Sequence, residues 1–246
     1  PMTLFAGLGA TSAVLMLVFK DTITGLAAGV RLTSNDMLHK GDWITVKSVD
    51  ANGIVEDMSL TTVKVRNFDN TIVTISPITL VNGSFQNWIG MQKSGGRRVK
   101  RVVYFDFRSV RLVDEALKRN LLAKHFATED SFKLKESLQK AIDKDIQEGK
   151  DIEDLKNPAA LAPTNLQLYR KFMEKYLRQR PEVNTDLTLM VRHMEATQCG
   201  LPIEFYFFIK DKVWVNYEHI LADIMEHAYA LANEFGLKIY EQYPEQ

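Results

Sequence analysis

Residues 4–19, LFAGLGATSAVLMLVF, contain no charged side chain, and the chain continues as KDTITGLAAGV over residues 20–30. As a helix that rises ~1.5 Å per residue, Met2–Phe19 would span about 27 Å, close to the roughly 30 Å core of a bilayer. The run is therefore predicted to cross a membrane. A signal peptide is disfavoured, because no basic segment precedes the run and a second apolar segment follows it. A buried helix of a soluble protein is the remaining alternative.

Small residues recur within this run at spacings of three and four. Ala6, Gly9, Ala10 and Ala13 would form one stripe along a helix. Within a membrane, such a stripe lets helices pack with their backbones close together. The helix is therefore expected to have helical neighbours, including copies of itself.

The apolar run ends at two charged residues, Lys20 and Asp21. Because Asp is favoured at the N-cap of a helix, a break is predicted at Lys20-Asp21, with a second helix over residues 22–32. One side of that helix would be apolar, as in a helix that lies at a membrane interface or packs on a core. Its members are Ile23, Leu26, Ala27 and Val30.

The composition of the whole chain excludes several classes of protein. Its 246 residues contain 31 Lys and Arg and 31 Asp and Glu, so its net charge does not indicate nucleic-acid binding. Cys199 is the only cysteine, and the five histidines are scattered. We find no Gly-rich phosphate loop, catalytic constellation or metal-ligand spacing. The chain is predicted not to be an enzyme and to need no cofactor or metal.

Short β-rich segments follow the helical region between residues 39 and 90. Val63 and Val65 alternate with Lys64 and Arg66, and glycine and Asn/Asp turns separate the segments. The pattern predicts four or five short strands in a small all-β unit, a compact sandwich or barrel.

Residues 91–246 show strand and helix patterns in the order βαββαβ, which is ferredoxin-like. The predicted elements are strands at 99–107, 187–194, 203–209 and 237–240, and helices at 110–126 and 216–235. An insertion at about 127–183 separates the first helix from the second strand and carries two predicted helices, 132–146 and 166–177. The predicted domains are 1–38, 39–90 and 91–246.

Several motifs together resemble a known family. The segments LGATSAVLMLVFKDTITGLAAGV, GDWITV, GIVEDMSLTTVKVRNFDN and TISPITLVNGSFQNW, residues 8–88 in order, are similar to the pore helix and the Sm-like β domain of the small-conductance mechanosensitive channel (MscS) family. TNLQLYRKFMEKYLRQRP, residues 164–181, resembles the miniconductance, YbdG-type branch.

The resemblance implies an α+β subunit with a membrane helix, assembled as a homoheptamer in a bacterial inner membrane. Residues after about 32 would be cytoplasmic, and the full-length protein would cross the membrane several times. The channel would open under membrane tension during hypo-osmotic shock and release ions and small solutes. Its partners would be membrane lipid, permeating ions and other copies of itself, with no nucleic acid.

The resemblance also places Ala13 and Leu17 at the pore constriction. They lie four residues apart on one helical face, and apolar rings can block ions by dewetting. Ala13 stands where the family commonly has leucine, so Met16 or Phe19 could share the seal. Lys20-Asp21 stands where the family has a Gln-Gly hinge.

An alternative function is RNA binding by a soluble β-barrel joined to a ferredoxin-like module. Phe68, Phe85 and Trp88 would then stack on bases beside Lys64 and Arg66. A separate basic stretch could bias ions in the vestibule but is more typical of a solvated face. It contains Lys93, Arg97, Arg98, Lys100 and Arg101.

Overall fold

The structure is a computed structural model that describes residues 2–133, 140, 143–144, 147–148 and 162–242. The chain divides into two compact units, Pro1–Lys93 and Ser94–Gln246. The predicted helix at 132–146 lies largely outside the described residues.

The first unit begins with one long helix, α1, Met2–Ser34. The predicted break at Lys20-Asp21 is wrong, since α1 continues through both residues. Neither residue is proline or glycine, and the hydroxyl of Thr24 donates to the carbonyl of Lys20 at 2.8 Å, within the helical ladder. The helix ends at Ser34, and Asp36 just beyond it has a positive φ of 58°, which allows the Met37 amide to bond back to the Leu32 carbonyl at 3.1 Å.

Five strands follow α1 and form a single antiparallel sheet in the order β4-β3-β2-β1-β5. The predicted number of strands is therefore confirmed. The strands are β1 Trp43–Val46, β2 Ala51–Met58, β3 Val63–Asn67, β4 Ile72–Ile75 and β5 Gln86–Asn87.

Two short helices, α2 Pro77–Asn82 and α3 Ile89–Lys93, complete the first unit. Alternate residues of the strands point to one side of the sheet, where they pack with residues from α1, the following loop and α2. The buried core consists of Leu32, Leu38, Ile44, Val46, Ala51, Val55, Val63, Val65, Ile75 and Leu80. The end of α1 is therefore part of the β domain's core.

Among the residues that the structure describes, the second unit contains a three-stranded antiparallel sheet and three α-helices whose bounds are defined. Its strands are β6 Arg97–Phe105, β7 Met190–His193 and β8 Leu201–Ile209, in the order β6-β8-β7. Its helices are α4 Glu115–Ala123, α5 Asn165–Gln179 and α6 Trp214–Glu234.

Three predicted elements of this unit are shorter than expected, and one of them is the strand predicted at 187–194, which covers only Met190–His193. The helix predicted at 110–126 begins only at Glu115, because the Asp114 side chain caps it by accepting from the Leu117 amide. The strand predicted at 237–240 is reduced to one bridge between Ile239 and Phe105, at the outer side of β6. The helix predicted at 166–177 is confirmed as α5.

Asp114 gives the second unit a pH-dependent contribution to stability. Its carboxylate accepts from the Leu117 amide at 2.8 Å and pairs with Arg111, and these contacts hold its pKa below the ordinary 3.8. Because the folded-state pKa is lowered, the contribution is present above the unfolded-state pKa and is lost as pH falls through the folded-state pKa.

We therefore expect Asp114→Asn, which keeps a capping oxygen without the charge, to be less stable than wild type at about pH 7, and by a smaller difference at a pH below the ordinary pKa of 3.8. Urea unfolding of both proteins at the two pH values measures the difference. The same difference at both values would contradict a role for the ionised carboxylate.

Candidate functional site

The first half of α1 exposes its apolar side chains. Thr11–Ser34 is long and apolar enough to cross a membrane, and only Ala28, Gly29 and Leu32 of this span are buried. Within this chain, the first half of α1 is therefore not a buried core helix. Its large exposed apolar residues are Leu8, Val14, Leu15, Met16, Leu17, Val18, Phe19, Ile23, Leu26 and Val30.

The residues predicted for the constriction are all exposed on this helix, with Met16 and Leu17 both 74% exposed. At ~100° per residue, Leu17 and Met16 lie about 40° and 60° to either side of Ala13. Phe19 lies about 160° from Leu17, on the opposite face. Any surface that contains Ala13 and Leu17 can include Met16 but not Phe19.

The small-residue stripe is described only in part. Gly9 is exposed, whereas the side chains of Ala6 and Ala10 lie outside those that the structure describes. The predicted packing of copies through this stripe therefore stays a prediction.

The second half of α1 has two distinct faces, and the predicted core-packing face is not the buried one. Ile23, Leu26, Ala27 and Val30 are exposed. Small residues occupy the face that packs on the β domain, where Ala28 and Gly29 are buried beside Leu32. The adjacent small residues Ala28 and Gly29 in GLAAG were the sequence signal for this contact.

Gly29 allows this close approach. A Cβ atom on Gly29 would overlap the carbonyl oxygen of Leu60, in the loop between β2 and β3, and would lie 2.8 Å from the carbonyl carbon. One turn earlier, a Cβ on Gly25 would have nothing within 4 Å. The α1 backbone is thus held directly against the β domain at Gly29.

The connection after α1 is fixed by a buried carboxylate. Asp42 is 7% exposed, and its Oδ2 accepts from the His39 amide at 3.0 Å and from Nδ2 of Asn87 at 2.8 Å. Asn87 also donates to the carbonyl of Met37 at 3.3 Å. Together with buried Leu38, these bonds tie the segment after the helix to β5.

We expect Gly29→Ala to destabilise the protein by roughly 1–3 kcal/mol, because the added methyl group must displace the Leu60 backbone. Gly25→Ala is the matched control and should be neutral or stabilising by up to about 1 kcal/mol, the gain from replacing glycine inside a helix. Thermal unfolding in detergent measures both variants. Equal effects of the two substitutions would contradict the close contact.

The aromatic residues of the RNA-binding alternative do not form one exposed platform. Trp88 stacks on Trp43 with ring centroids 4.6 Å apart, and Phe68 meets Trp43 edge-on at 5.3 Å. Phe85 packs against the buried core of the β domain instead. Arg66 is paired with Glu56 at 2.6 Å.

Across the part of the chain that the structure describes, no group of three or more His, Cys, Asp or Glu is placed to hold a metal ion. The side chain of His219 is exposed on α6, and His227 contacts the carbonyl of Asp223 at 2.7 Å. The residues that bear on the predicted channel function are those of α1 and of its contact with the β domain.

Comparisons with known proteins match this region. A family model described as the β-domain of mechanosensitive ion channels matches residues 21–90. The chain is 34% identical over 84 residues to the small-conductance mechanosensitive channel MscMJ of Methanocaldococcus jannaschii, covering 34% of this chain and 23% of that protein. It is 30% identical over 129 residues to the large-conductance channel MscMJLR of the same organism, covering 52% of this chain and 35% of that protein.

Solved structures share the fold over nearly the whole chain. The closed-state crystal structure of Helicobacter pylori MscS covers 99% of this chain and 72% of its own, with a TM-score of 0.59 and 12% identity. Arabidopsis thaliana MSL1, determined by cryo-EM, covers 98% of this chain and 66% of its own, with a TM-score of 0.61 and 10% identity.

The chain thus spans only about a quarter to a third of the two curated relatives. Those relatives are channels by name, not enzymes. Residues 21–90 thus match the β-domain of mechanosensitive ion channels, and the described chain shares its fold with a solved MscS structure, so a relationship to the MscS family is supported for this part of the chain.

Proposed function

We propose that this chain is the subunit of a mechanosensitive channel of the miniconductance, YbdG-type branch, which opens under membrane tension in hypo-osmotic shock and releases ions and small solutes. The single observation that carries the proposal is α1: its first half exposes a continuous apolar surface, and its second half is built into the β domain. Such a surface needs a lipid or protein environment.

In this proposal, the subunit lies in a bacterial inner membrane, with the residues after about 32 in the cytoplasm. Domain 1–38 lines the pore, 39–90 forms an Sm-like β domain, and 91–246 forms a ferredoxin-like domain with a helical insertion at about 127–183. The sheet order β6-β8-β7, with Ile239 bridged to β6, supports the ferredoxin-like assignment. Further membrane helices of the full-length protein would sense tension.

Leu17 is the proposed gate residue, with Ala13 one turn earlier on the same face. A ring of leucines from several copies would exclude water from a narrow pore and so block ions without a steric plug. Met16 could contribute at one side of this face. Phe19 would face away from the pore axis and towards neighbouring helices or lipid.

The contact at Gly29 suggests how opening is transmitted. Because Ala28, Gly29 and Leu32 are buried on the β domain, the second half of α1 cannot move without moving that domain or breaking the contact. We propose that the β domain anchors this end of α1 while tension displaces the first half.

We also propose that seven copies form the channel, as the resemblance to the MscS family implies; a pore lined by one helix per subunit in any case requires several subunits. Native mass spectrometry of full-length protein in detergent should give seven chains, and a monomer or dimer would contradict the ring.

Patch-clamp recording of full-length protein in liposomes should give currents that appear only under suction. A soluble, detergent-independent protein that binds RNA would instead support the alternative function.

A further inference from the structure

The sheet of the second unit has one covered face and one uncovered face. Val99 and Val103 of β6, with Phe205 and Phe207 of β8, point into the core with residues of α4, α5 and α6. The alternate residues of the same strands point the other way. Among the described residues, no helix of this unit packs on that second face.

The uncovered face combines positive charge with aromatic surface. Arg98 and Lys100 lie on β6, and Phe208 and Tyr206 lie directly opposite them on β8. Arg192 lies on β7, opposite Glu204 of β8. We call these five residues, Arg98, Lys100, Arg192, Tyr206 and Phe208, the open face. Its three cations are exposed and its two aromatic residues are half-buried.

Glu204 organises the open face from beneath. Its side chain is fully buried and accepts from Nε of Arg192 at 2.6 Å, while Nζ of Lys100 lies 3.7 Å away. One carboxylate thus orients two cations. The guanidinium of Arg98 lies 5.9 Å from the ring of Tyr206 and forms no ion pair within the described part of the chain. The open face therefore has an excess of positive charge.

The opposite side of the unit presents a complementary surface. Helix α6 contains no lysine or arginine, and its exposed side includes Glu218, Asp223 and Glu226. We call these three residues the acidic face. None of them forms an ion pair with another described residue. Small residues, Ala222 and Ala230, lie on the same exposed side and would permit close approach.

We propose that the open face binds the acidic face of α6 from a second copy of this chain, head to tail. The open face is basic and the face on α6 is acidic. They lie on opposite sides of the unit, because α6 covers one side of the sheet and the open face is the other side. Contacts between two different patches are heterologous, and they generate rings or filaments. The inference rests on the proposed self-association and identifies the surfaces that mediate it.

A cross-linking experiment tests the pairing directly in the whole chain in detergent, with Cys199→Ser as background. Copies that carry Arg98→Cys are co-expressed with copies that carry Asp223→Cys, and a short bis-maleimide is added. We expect a cross-linked pair from the co-expressed copies and none from either variant alone. The matched control replaces Arg98→Cys with Arg119→Cys, at an exposed residue of α4 outside both faces.

Charge reversal provides the second test. Arg98→Glu should weaken association about tenfold (about 1.4 kcal/mol), because it places like charges together, whereas Arg119→Glu should not. Adding Asp223→Arg to Arg98→Glu should restore association. An intact assembly without cross-linking or charge rescue would overturn this interface but leave the proposed channel. A wild-type chain that stays monomeric would overturn both.

Discussion

Replacing Asn165 with leucine is expected to lower the free energy of unfolding by roughly 3–6 kcal/mol. Asn165 is the first residue of α5 and is fully buried. Its amide nitrogen donates to the carbonyls of Ser109 at 2.9 Å and Phe235 at 3.1 Å. Its oxygen accepts from the amide of Arg111 at 3.0 Å.

Leucine fills a similar volume but leaves these three backbone groups without their partner, and each buried, unsatisfied group costs ~1–3 kcal/mol. Chemical unfolding followed by far-UV circular dichroism measures the loss. Asn120→Leu, at an exposed position of α4, is the matched control and should change the free energy of unfolding by less than about 0.5 kcal/mol. Equal losses in the two variants would mean that Asn165 does not hold the unit together.

Leu17→Ser is expected to lower the tension at which the channel opens, if Leu17 forms the gate. A hydroxyl group gives water a hydrogen-bond partner in a ring that is otherwise apolar. Each chain also loses roughly 1.5–3 kcal/mol of apolar burial in the closed state. The losses add around the ring, so a large shift in threshold is expected.

Patch-clamp recording of full-length protein under controlled suction measures the threshold. Leu15→Ser is the matched control, because Leu15 is also exposed and lies about 160° from Leu17 around α1. A lower threshold for Leu17→Ser alone would support the gate. Unchanged threshold and conductance would exclude Leu17 and direct the next substitution to Met16.

Local sequence patterns predicted those elements in which the same pattern of apolar and polar residues repeats along the whole element. The uncharged run of α1, the alternation in β3 and the apolar stripe of α5 each repeat one signal over several residues. The break at Lys20-Asp21 was predicted from a capping preference, which is weaker than the continuity of a helix without proline or glycine at those positions. Of the two alternatives for the apolar side of residues 22–32, packing on a core is wrong and a position at a membrane interface stays a prediction, because the contact between backbones is made by the small residues Ala28 and Gly29.

Other features depend on distant parts of the chain. The partners of Asn165 at Arg111, Ser109 and Phe235 are 54, 56 and 70 residues away, and a single asparagine at a helix start gives no sign of them. The pairing of Arg192 and Lys100 with Glu204 requires the register of three strands. For the proposed gate residues, the sequence predicts which side chains share a helical face. Which of these faces lines a pore would depend on how seven chains pack together.

The burial of Leu32 in the β domain determines where a soluble fragment of this protein should begin. Deleting residues 1–32 would remove the exposed apolar part of α1, but it would also take Ala28, Gly29 and Leu32 from the packed β domain. A fragment that starts near Thr22 keeps that packing. Only the exposed side of the retained part of α1 would then need redesign. Polar residues in place of Ile23, Leu26 and Val30 should allow the β domain to be studied without detergent.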